Sequence, residues 1–203
     1  MGKVDVRVPV DAAGREVRVS PASVGADTGK LVGYAAVFNK RSVRLLDFYE
    51  VVMPGAFKRA LSGQPDVRAL LNHDPNWVLG RTRSGTLALA EDGTGLLATI
   101  TPPDAQWARD LVHSVQRGDI DQMSFAFRVM PGGERWRMEG HDLIRELTDI
   151  EVYDVSAVTY PAYPDTTLGT RAEVRSVECV GSGEPPTVRM DNMRRRLALA
   201  EVE

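Results

Sequence analysis

Short apolar runs alternate with turn signals along most of this chain, and this pattern restricts the fold more than any other feature of the sequence. In several runs apolar and polar residues alternate with a period of two, as they do in a strand with one buried face. Ser84-Gly85 and Asp92-Gly93 separate neighbouring runs and are typical of tight turns between antiparallel strands. Many short strands and few helices predict a mainly β (α+β) protein, a β-barrel or sandwich of mostly antiparallel strands with a few packed helices.

The strand predictions rest on alternation or on short continuous apolar runs. Helices are predicted at 56–61 and at 104–117, the second with Asp104 as N-cap and Gly118 as its end. Residues 20–30, rich in Ser, Pro, Gly and Asp, predict a loop. The predicted strands are 3–10, 31–38, 49–53, 67–71, 79–83, 86–90, 96–101, 122–130, 134–138, 143–147 and 149–159.

The chain divides into three parts by composition. Residues 1–30 form a predicted N-terminal arm and loop, and residues 31–170 form one folded domain. Residues 171–203 are charged and polar and predict a flexible C-terminal tail, with a linker at 181–186 and a short helix at 191–203.

Composition excludes several classes of function. The formal net charge of -3 and the absence of a long basic run argue against a nucleic-acid partner. The single cysteine, Cys179, cannot form an intrachain disulfide and lies in the polar tail, which favours a bystander thiol over a nucleophile. No run reaches the roughly 20 apolar residues of a membrane span, and residues 1–10 lack the apolar core of a signal peptide. We therefore expect a soluble protein without a membrane partner, a cofactor or a metal.

Three histidines, His73, His113 and His141, are the candidates for a general base. His113 lies off the apolar stripe of the helix at 104–117, and His141 lies in a predicted turn, so both are interpreted as solvated surface residues. His73 ends the apolar strand 67–71, at the kind of position where site residues are often found. A histidine at the end of a strand is nevertheless more often structural than catalytic, and both interpretations remain open on this evidence.

Ser124 is the candidate nucleophile. Alternation places Met123, Phe125 and Phe127 on one face of a strand and Ser124 with Ala126 on the other. An apolar wall behind a small polar residue suits a hydroxyl exposed at the floor of a cleft. This pattern alone is weak, because most serines in strands have no catalytic role.

Asp154 is the candidate third member. Alternation along 149–159 places Asp154 in one row with Ile150, Val152, Ser156 and Val158. A carboxylate in an apolar row needs a hydrogen-bonding partner, and a histidine N–H is a natural one. A turn or an inverted register that leaves Asp154 in water is the alternative.

Together, Ser124, His73 and Asp154 make a nucleophile, a general base and a residue that orients the base. Such a site also needs donors for an oxyanion. The backbone N–H of Phe125 and the guanidinium of Arg128 are the two suggestions that the sequence offers.

At these same positions the sequence resembles the prohead maturation proteases of tailed bacteriophages. The order and spacing of the matching stretches agree with that family over roughly residues 30–170. The stretches are 33–38 (GYAAVF), Glu50 with 53–57 (MPGAF), 71–74 (LNHD), 123–127 (MSFAF) and 153–162 (YDVSAVTYPA).

The resemblance implies a fold like that of the herpesvirus assembly proteases, a β-barrel surrounded by helices. It implies a serine endopeptidase that cleaves scaffold and major capsid protein segments inside the immature capsid in the host cytoplasm, often with self-cleavage. The histidine and serine of the family map onto His73 and Ser124. The acidic member maps onto Asp154, where many relatives have glutamate, so Glu151 stays in reserve. The herpesvirus relatives use a second histidine, for which His141 is the only candidate after Ser124.

Two other functions compete with this hypothesis. A non-enzymatic capsid-assembly or scaffold module that retains the fold is favoured by the charged tail and by the less certain third residue, and homo-oligomerisation stays open. A metal-dependent hydrolase is a poor fit. Asn72, His73 and Asp74 offer ligands, but no second histidine follows at helical spacing.

Overall fold

The computed structural model describes residues 3–10, 14–27, 29–159 and 171–178, and it describes side chains for residues 10, 14–18 and 29–159. The helices in this part are α1 (Lys58–Ser62) and α2 (Gln106–Gln116). The strands are β1 (Lys3–Val10), β2 (Glu16–Asp27), β3 (Lys30–Val37), β4 (Phe48–Val52), β5 (Arg68–Leu71), β6 (Asp74–Arg81), β7 (Leu87–Glu91), β8 (Gly95–Ile100), β9 (Gln122–Val129), β10 (Glu134–Glu139), β11 (Asp142–Leu147), β12 (Ile150–Val158) and β13 (Arg171–Glu178).

The largest sheet has eight strands in the order β6-β5-β12-β9-β2-β3-β8-β7. A three-stranded sheet has the order β10-β11-β4, and β1 pairs with β13. Most neighbours are antiparallel, but β12 runs parallel to β5 and β11 runs parallel to β4. The mainly β, mostly antiparallel class with a few helices is confirmed.

The ladder of the large sheet begins at β6 and finishes at β7, and within the described residues it does not close into a barrel. The predicted barrel and the likeness to the herpesvirus proteases therefore stay predictions.

One apolar core lies against the large sheet. Met123, Phe125 and Phe127 of β9 all point into it, as their alternation predicts. The α2 helix adds Leu111 and Val115 from its apolar stripe. A smaller cluster of Leu45, Phe48, Trp136 and Leu143 lies at the three-stranded sheet.

Residues 20–30 are not the predicted loop, because β2 continues to Asp27. The strand pairs with β9 through Ser20 and Ser23 and then with β3 from Val24 to Asp27. The register shifts between Ser20 and Ser23, around Pro21. Proline has no N–H to donate to a ladder, so an irregularity is where a strand can accommodate it. The turn-like composition of this segment therefore marks a bend within a strand.

The predicted N-cap of the second helix is also wrong. Ala105 is the N-cap and makes no side-chain capping bond. The carboxylate of Asp104 instead binds the guanidinium of Arg109. This ion pair joins two full charges, whereas a capping hydrogen bond to a backbone N–H would involve only one. The helix ends next to Gly118, which has a φ of 79°, as the sequence predicts.

Part of the predicted tail is ordered backbone, since residues 171–178 form β13 in antiparallel pairing with β1. The predicted linker and the helix at 191–203 lie outside the described residues. The domain boundaries at 30 and 170 stay predictions.

Candidate active site

His73 lies in a two-residue turn between β5 and β6. Leu71 pairs with Asp74 across the hairpin, and the two residues between them have positive φ angles of 53° at Asn72 and 57° at His73. Two consecutive positive φ angles are characteristic of a type I′ turn, and Asn and His adopt this conformation more often than most residues. β6 therefore begins at Asp74 and not at the predicted residue 79, and the imidazole stands at a tight corner of the sheet.

Hydrogen bonds from Asn72 fix this turn against the end of β12. Its backbone N–H donates to the Ala157 carbonyl at 2.9 Å, and its side-chain carbonyl accepts from the Thr159 N–H at 2.9 Å. Its side-chain amide also lies 3.2 Å from Thr159 Oγ1. The hairpin that carries His73 is thus tied to the strand that carries Asp154.

The structure brings His73, Ser124 and Asp154 together. His73 Nδ1 lies 2.5 Å from Asp154 Oδ1, and His73 Nε2 lies 2.6 Å from Ser124 Oγ. When Nδ1–H donates to the carboxylate, Nε2 is left as an acceptor that faces the hydroxyl. This geometry allows an imidazole to remove a proton from a serine while a carboxylate holds the ring and balances its charge.

A β-bulge sets the orientation of Asp154. The pairing of β12 with β9 shifts register between Val152 and Asp154, at Tyr153. A shift of one residue exchanges the two faces of a strand. Ile150 and Val152 therefore share the apolar core with Val155, whereas Asp154 and Ser156 point toward His73. Asp154 is buried as predicted, but the predicted single row with Ile150 and Val152 is wrong.

Ser156 is a polar neighbour that the sequence reasoning missed as a site residue. Its hydroxyl donates to Asp154 Oδ1 at 3.0 Å and accepts from the His73 backbone N–H at 3.3 Å. It lies directly across the ladder from Ser124. A serine two residues after a buried aspartate was the available signal, since both must face the same way along a regular strand.

The reserve candidates lie elsewhere. Glu151 pairs with Arg128 at 2.6 Å, on the other side of the Tyr153 bulge from Asp154. His141 is exposed in the turn between β10 and β11, and His113 is exposed on α2. Neither suggested oxyanion donor faces Ser124. Phe125 lies within β9 between paired residues of β2 and β12, so its N–H is directed into the sheet, and the Arg128 guanidinium is held by Glu151.

Ser124 is fully buried, with 0% of its surface exposed, and the predicted exposure at a cleft floor is wrong. The cause is β2, which pairs with β9 so that Val19 lies opposite Ser124. The Arg18 carbonyl oxygen lies 2.9 Å from Ser124 Oγ. A hydroxyl has one proton to donate, so the Arg18 carbonyl and His73 Nε2 are competing acceptors for it.

Beside this contact lies a group of charged side chains that we call the buried charge cluster: Glu16, Arg18, Glu50 and Arg145, which are buried, and Glu134, which is partly exposed. The Arg145 side chain is 0% exposed, and its guanidinium contacts all three glutamates. Arg18 contacts Glu50, with Nε 2.8 Å from Oε1, and Glu16, with Nη2 2.8 Å from Oε2. Burial by itself lowers the pKa of Arg145, but its hydrogen bond to Glu16 and the charges of Glu50, Glu16 and Glu134 outweigh burial and raise it. Arg145 is therefore a permanent cation, as a buried charge surrounded by opposite charges must be.

Comparisons with known proteins agree with the resemblance seen in the sequence. The sequence model of the family described as caudovirus prohead serine protease matches residues 16–180. The chain is 26% identical over 152 residues to the prohead protease of Enterobacteria phage HK97. That alignment covers 75% of this chain, and the chain spans 64% of the length of that curated relative. No solved structure matches the chain.

Proposed function

Because this chain belongs to the caudovirus prohead serine protease family, we propose that it is a serine endopeptidase in which Ser124 is the nucleophile, His73 the general base and Asp154 the residue that orients the base. The predicted family is confirmed by a match that extends over most of the chain. The observation that carries the assignment of roles is the continuous contact from Asp154 through His73 to Ser124.

The mechanism is acyl transfer. Ser124 Oγ attacks the carbonyl carbon of the scissile bond while His73 Nε2 takes the hydroxyl proton. The C–N bond then breaks, and the imidazolium gives that proton to the leaving amine. Water, deprotonated by His73, then attacks the resulting ester. The C–O bond breaks to release the acid, and the imidazolium returns its proton to Ser124 Oγ. Asp154 holds the Nδ1–H tautomer and stabilises the imidazolium, and proton transfer of this kind contributes roughly 10²–10⁴-fold to the rate.

Ser156 takes part as a positioning residue. Its hydroxyl bonds the Asp154 carboxylate and the His73 backbone, so it holds the two residues at their contact distance. It touches neither the substrate bond nor the nucleophile in this scheme.

The substrates are segments of the scaffold and the major capsid protein, cleaved inside the immature capsid in the host cytoplasm, with self-cleavage as a further reaction. The family description and the name of the phage HK97 relative, both of which specify a prohead protease, support a role in the prohead, and the individual substrates and the self-cleavage are part of our proposal. In the part of the chain that the structure describes, no helix is long and apolar enough to cross a membrane. We also propose that the eight-stranded sheet is part of a barrel like that of the herpesvirus assembly proteases.

The test compares cleavage by the wild type, Ser124→Ala and the matched control Ser84→Ala, whose serine is exposed in the turn before β7. Each protein is co-expressed with its coat and scaffold proteins, and products are identified by mass spectrometry. We expect processing by the wild type and by the control only. Equal processing by wild type and Ser124→Ala would refute the assignment.

A second candidate, a capsid-assembly module that retains the fold without cleaving, is favoured by one observation. Ser124 is completely covered, and its hydroxyl has a backbone carbonyl as an alternative partner. This candidate predicts that wild type and Ser124→Ala co-assemble equally with coat protein and that neither yields a cleaved product.

A further inference from the structure

The first half of β2 lies directly against the candidate nucleophile. It is extended, antiparallel to the strand that carries Ser124, and directly beside that residue. Extended peptides commonly bind proteins as an added strand, with backbone hydrogen bonds fixing the register. Here the register places the Arg18 carbonyl oxygen 2.9 Å from Ser124 Oγ. The carbonyl of the Arg18–Val19 peptide bond is thus in hydrogen-bond contact with the nucleophile.

The side chain of Arg18 fills a pocket of matching chemistry. Its guanidinium reaches Glu50 at 2.8 Å and stacks over the Phe127 ring, with its central carbon 5.6 Å from the ring centroid. Both walls come from outside β2, since Glu50 belongs to β4 and Phe127 to β9. A carboxylate beside an aromatic face binds guanidinium well, because a charge-assisted hydrogen bond and a cation–π contact act together.

A second pocket accepts Glu16. Residues two apart on a strand face the same way, so Glu16 lies beside Arg18 and is also buried. Its carboxylate binds the Arg145 guanidinium, with one oxygen 2.9 Å from Nη2 and the other on Nη1. Arg145 belongs to β11 and therefore also lies outside β2.

The charges of the cluster also separate into those of β2, Glu16 and Arg18, and those of the other strands that bind them. Without the two β2 side chains, the buried charge cluster consists of Glu50, Glu134 and Arg145, two negative charges and one positive. Glu50 is then left without Arg18, and Arg145 loses one of its three carboxylates. An empty site of this kind favours an incoming strand with a cation at one position and an anion two residues before it.

We infer that Glu16-Val17-Arg18 is bound in the active site as a substrate in cis, and that the site selects peptide bonds that follow a Glu-x-Arg sequence. This inference rests on the proposed protease activity. In the reaction, Ser124 Oγ forms an ester with the Arg18 carbonyl carbon, the Arg18–Val19 C–N bond breaks, and the Val19 nitrogen takes the proton from His73. Water then hydrolyses the ester, leaving an Arg18 carboxylate and a new amino terminus at Val19.

The sequence contains the same tripeptide a second time, at Glu173-Val174-Arg175. Cleavage after Arg175 would release residues 176–203. A Glu-x-Arg rule therefore predicts two self-cleavage sites, one near each end of the chain.

The test follows self-cleavage of the full chain by intact mass and amino-terminal sequencing. We expect the wild type to yield a fragment that begins at Val19, and we expect Ser124→Ala to remain intact at that bond. Arg18→Ala should remove this cut, Arg18→Lys should retain part of it, and the control Arg15→Ala should leave it unchanged. Ser124-dependent processing of coat protein with the Arg18–Val19 bond intact would overturn the inference and leave the proposed function standing. The absence of any Ser124-dependent cleavage would instead defeat the proposed function, and the inference with it.

A second measurement needs no change to the buried residues of the enzyme. Wild-type protein is given synthetic GREVRVSP, the sequence of residues 14–21, and two analogues with alanine in place of the glutamate or of the second arginine. We expect cleavage after the second arginine of the parent peptide at a kcat/KM at least about tenfold above that of either analogue, since each analogue loses a charge-assisted contact. Equal rates for the three peptides, or no cut in any of them by enzyme that processes coat protein, would overturn the inference.

Discussion

His73 Nδ1 lies 2.5 Å from Asp154 Oδ1, although 81 positions separate the two residues in the chain. Parallel pairing of β5 with β12 creates this contact. The pairing brings the end of β5 beside Ala157, and the turn that follows β5 then lies against Asp154 and Ser156. The aspartate reaches the imidazole ring directly. The longer side chain of a glutamate is therefore not needed for this contact.

Asp154→Asn is expected to lower kcat for cleavage by roughly 10²–10⁴-fold, with a much smaller effect on KM. An amide can offer its own N–H to Nδ1 and so favour the tautomer in which Nε2 carries the proton and cannot act as a base. Steady-state kinetics on a cleavable peptide measure this. Glu151→Gln is the matched control, because that carboxylate binds Arg128 instead. A larger loss in Glu151→Gln than in Asp154→Asn would reassign the third member.

Ser156→Ala is expected to reduce kcat by about tenfold and the free energy of unfolding by about 1–3 kcal/mol, since it removes a buried hydrogen-bond partner of Asp154 and of the His73 backbone. Ser156→Thr keeps the hydroxyl and should recover most of kcat. Urea unfolding and kinetics on the same samples separate the two effects. Rescue of stability without rescue of kcat in Ser156→Thr would contradict a positioning role.

Asn72→Val is expected to damage both stability and activity more than Asn72→Gly does. Both variants lose the side-chain bonds to Thr159, but glycine adopts the φ of 53° without strain, whereas a β-branched residue does not. The difference between the variants therefore isolates the backbone conformation that presents His73. Thermal unfolding and cleavage rate are measured for both, and equal behaviour would show that the turn geometry is unimportant.

The pattern of the sequence selected three residues, His73, Ser124 and Asp154, that the structure brings into contact, but it did not predict which way each of them faces. Ser124 was placed correctly relative to Met123 and Phe125 because β9 is regular. Alternation failed at Asp154 because the bulge at Tyr153 exchanges the faces of β12, and a bulge depends on the partner strand, not on local sequence.

The pairing of β2 with β9 could not be predicted from the sequence either. Residues 16–20 fall within the predicted N-terminal arm and loop, and their pairing partners in β9 lie about a hundred positions away. The burial of Ser124 and the contact with the Arg18 carbonyl follow from that long-range pairing. No local pattern could therefore have predicted either feature.

The buried charge cluster predicts a contrast between two arginines. Arg145→Met leaves Glu16, Glu50 and Glu134 close together without their shared cation. Removal of one side of a buried ion pair typically costs about 3–5 kcal/mol of the free energy of unfolding, and we expect a loss of this size. Arg137→Met removes a guanidinium whose side chain is 38% exposed and which pairs with Glu139 and Glu146. Its loss should change stability by no more than about 1 kcal/mol, because solvent screens exposed pairs.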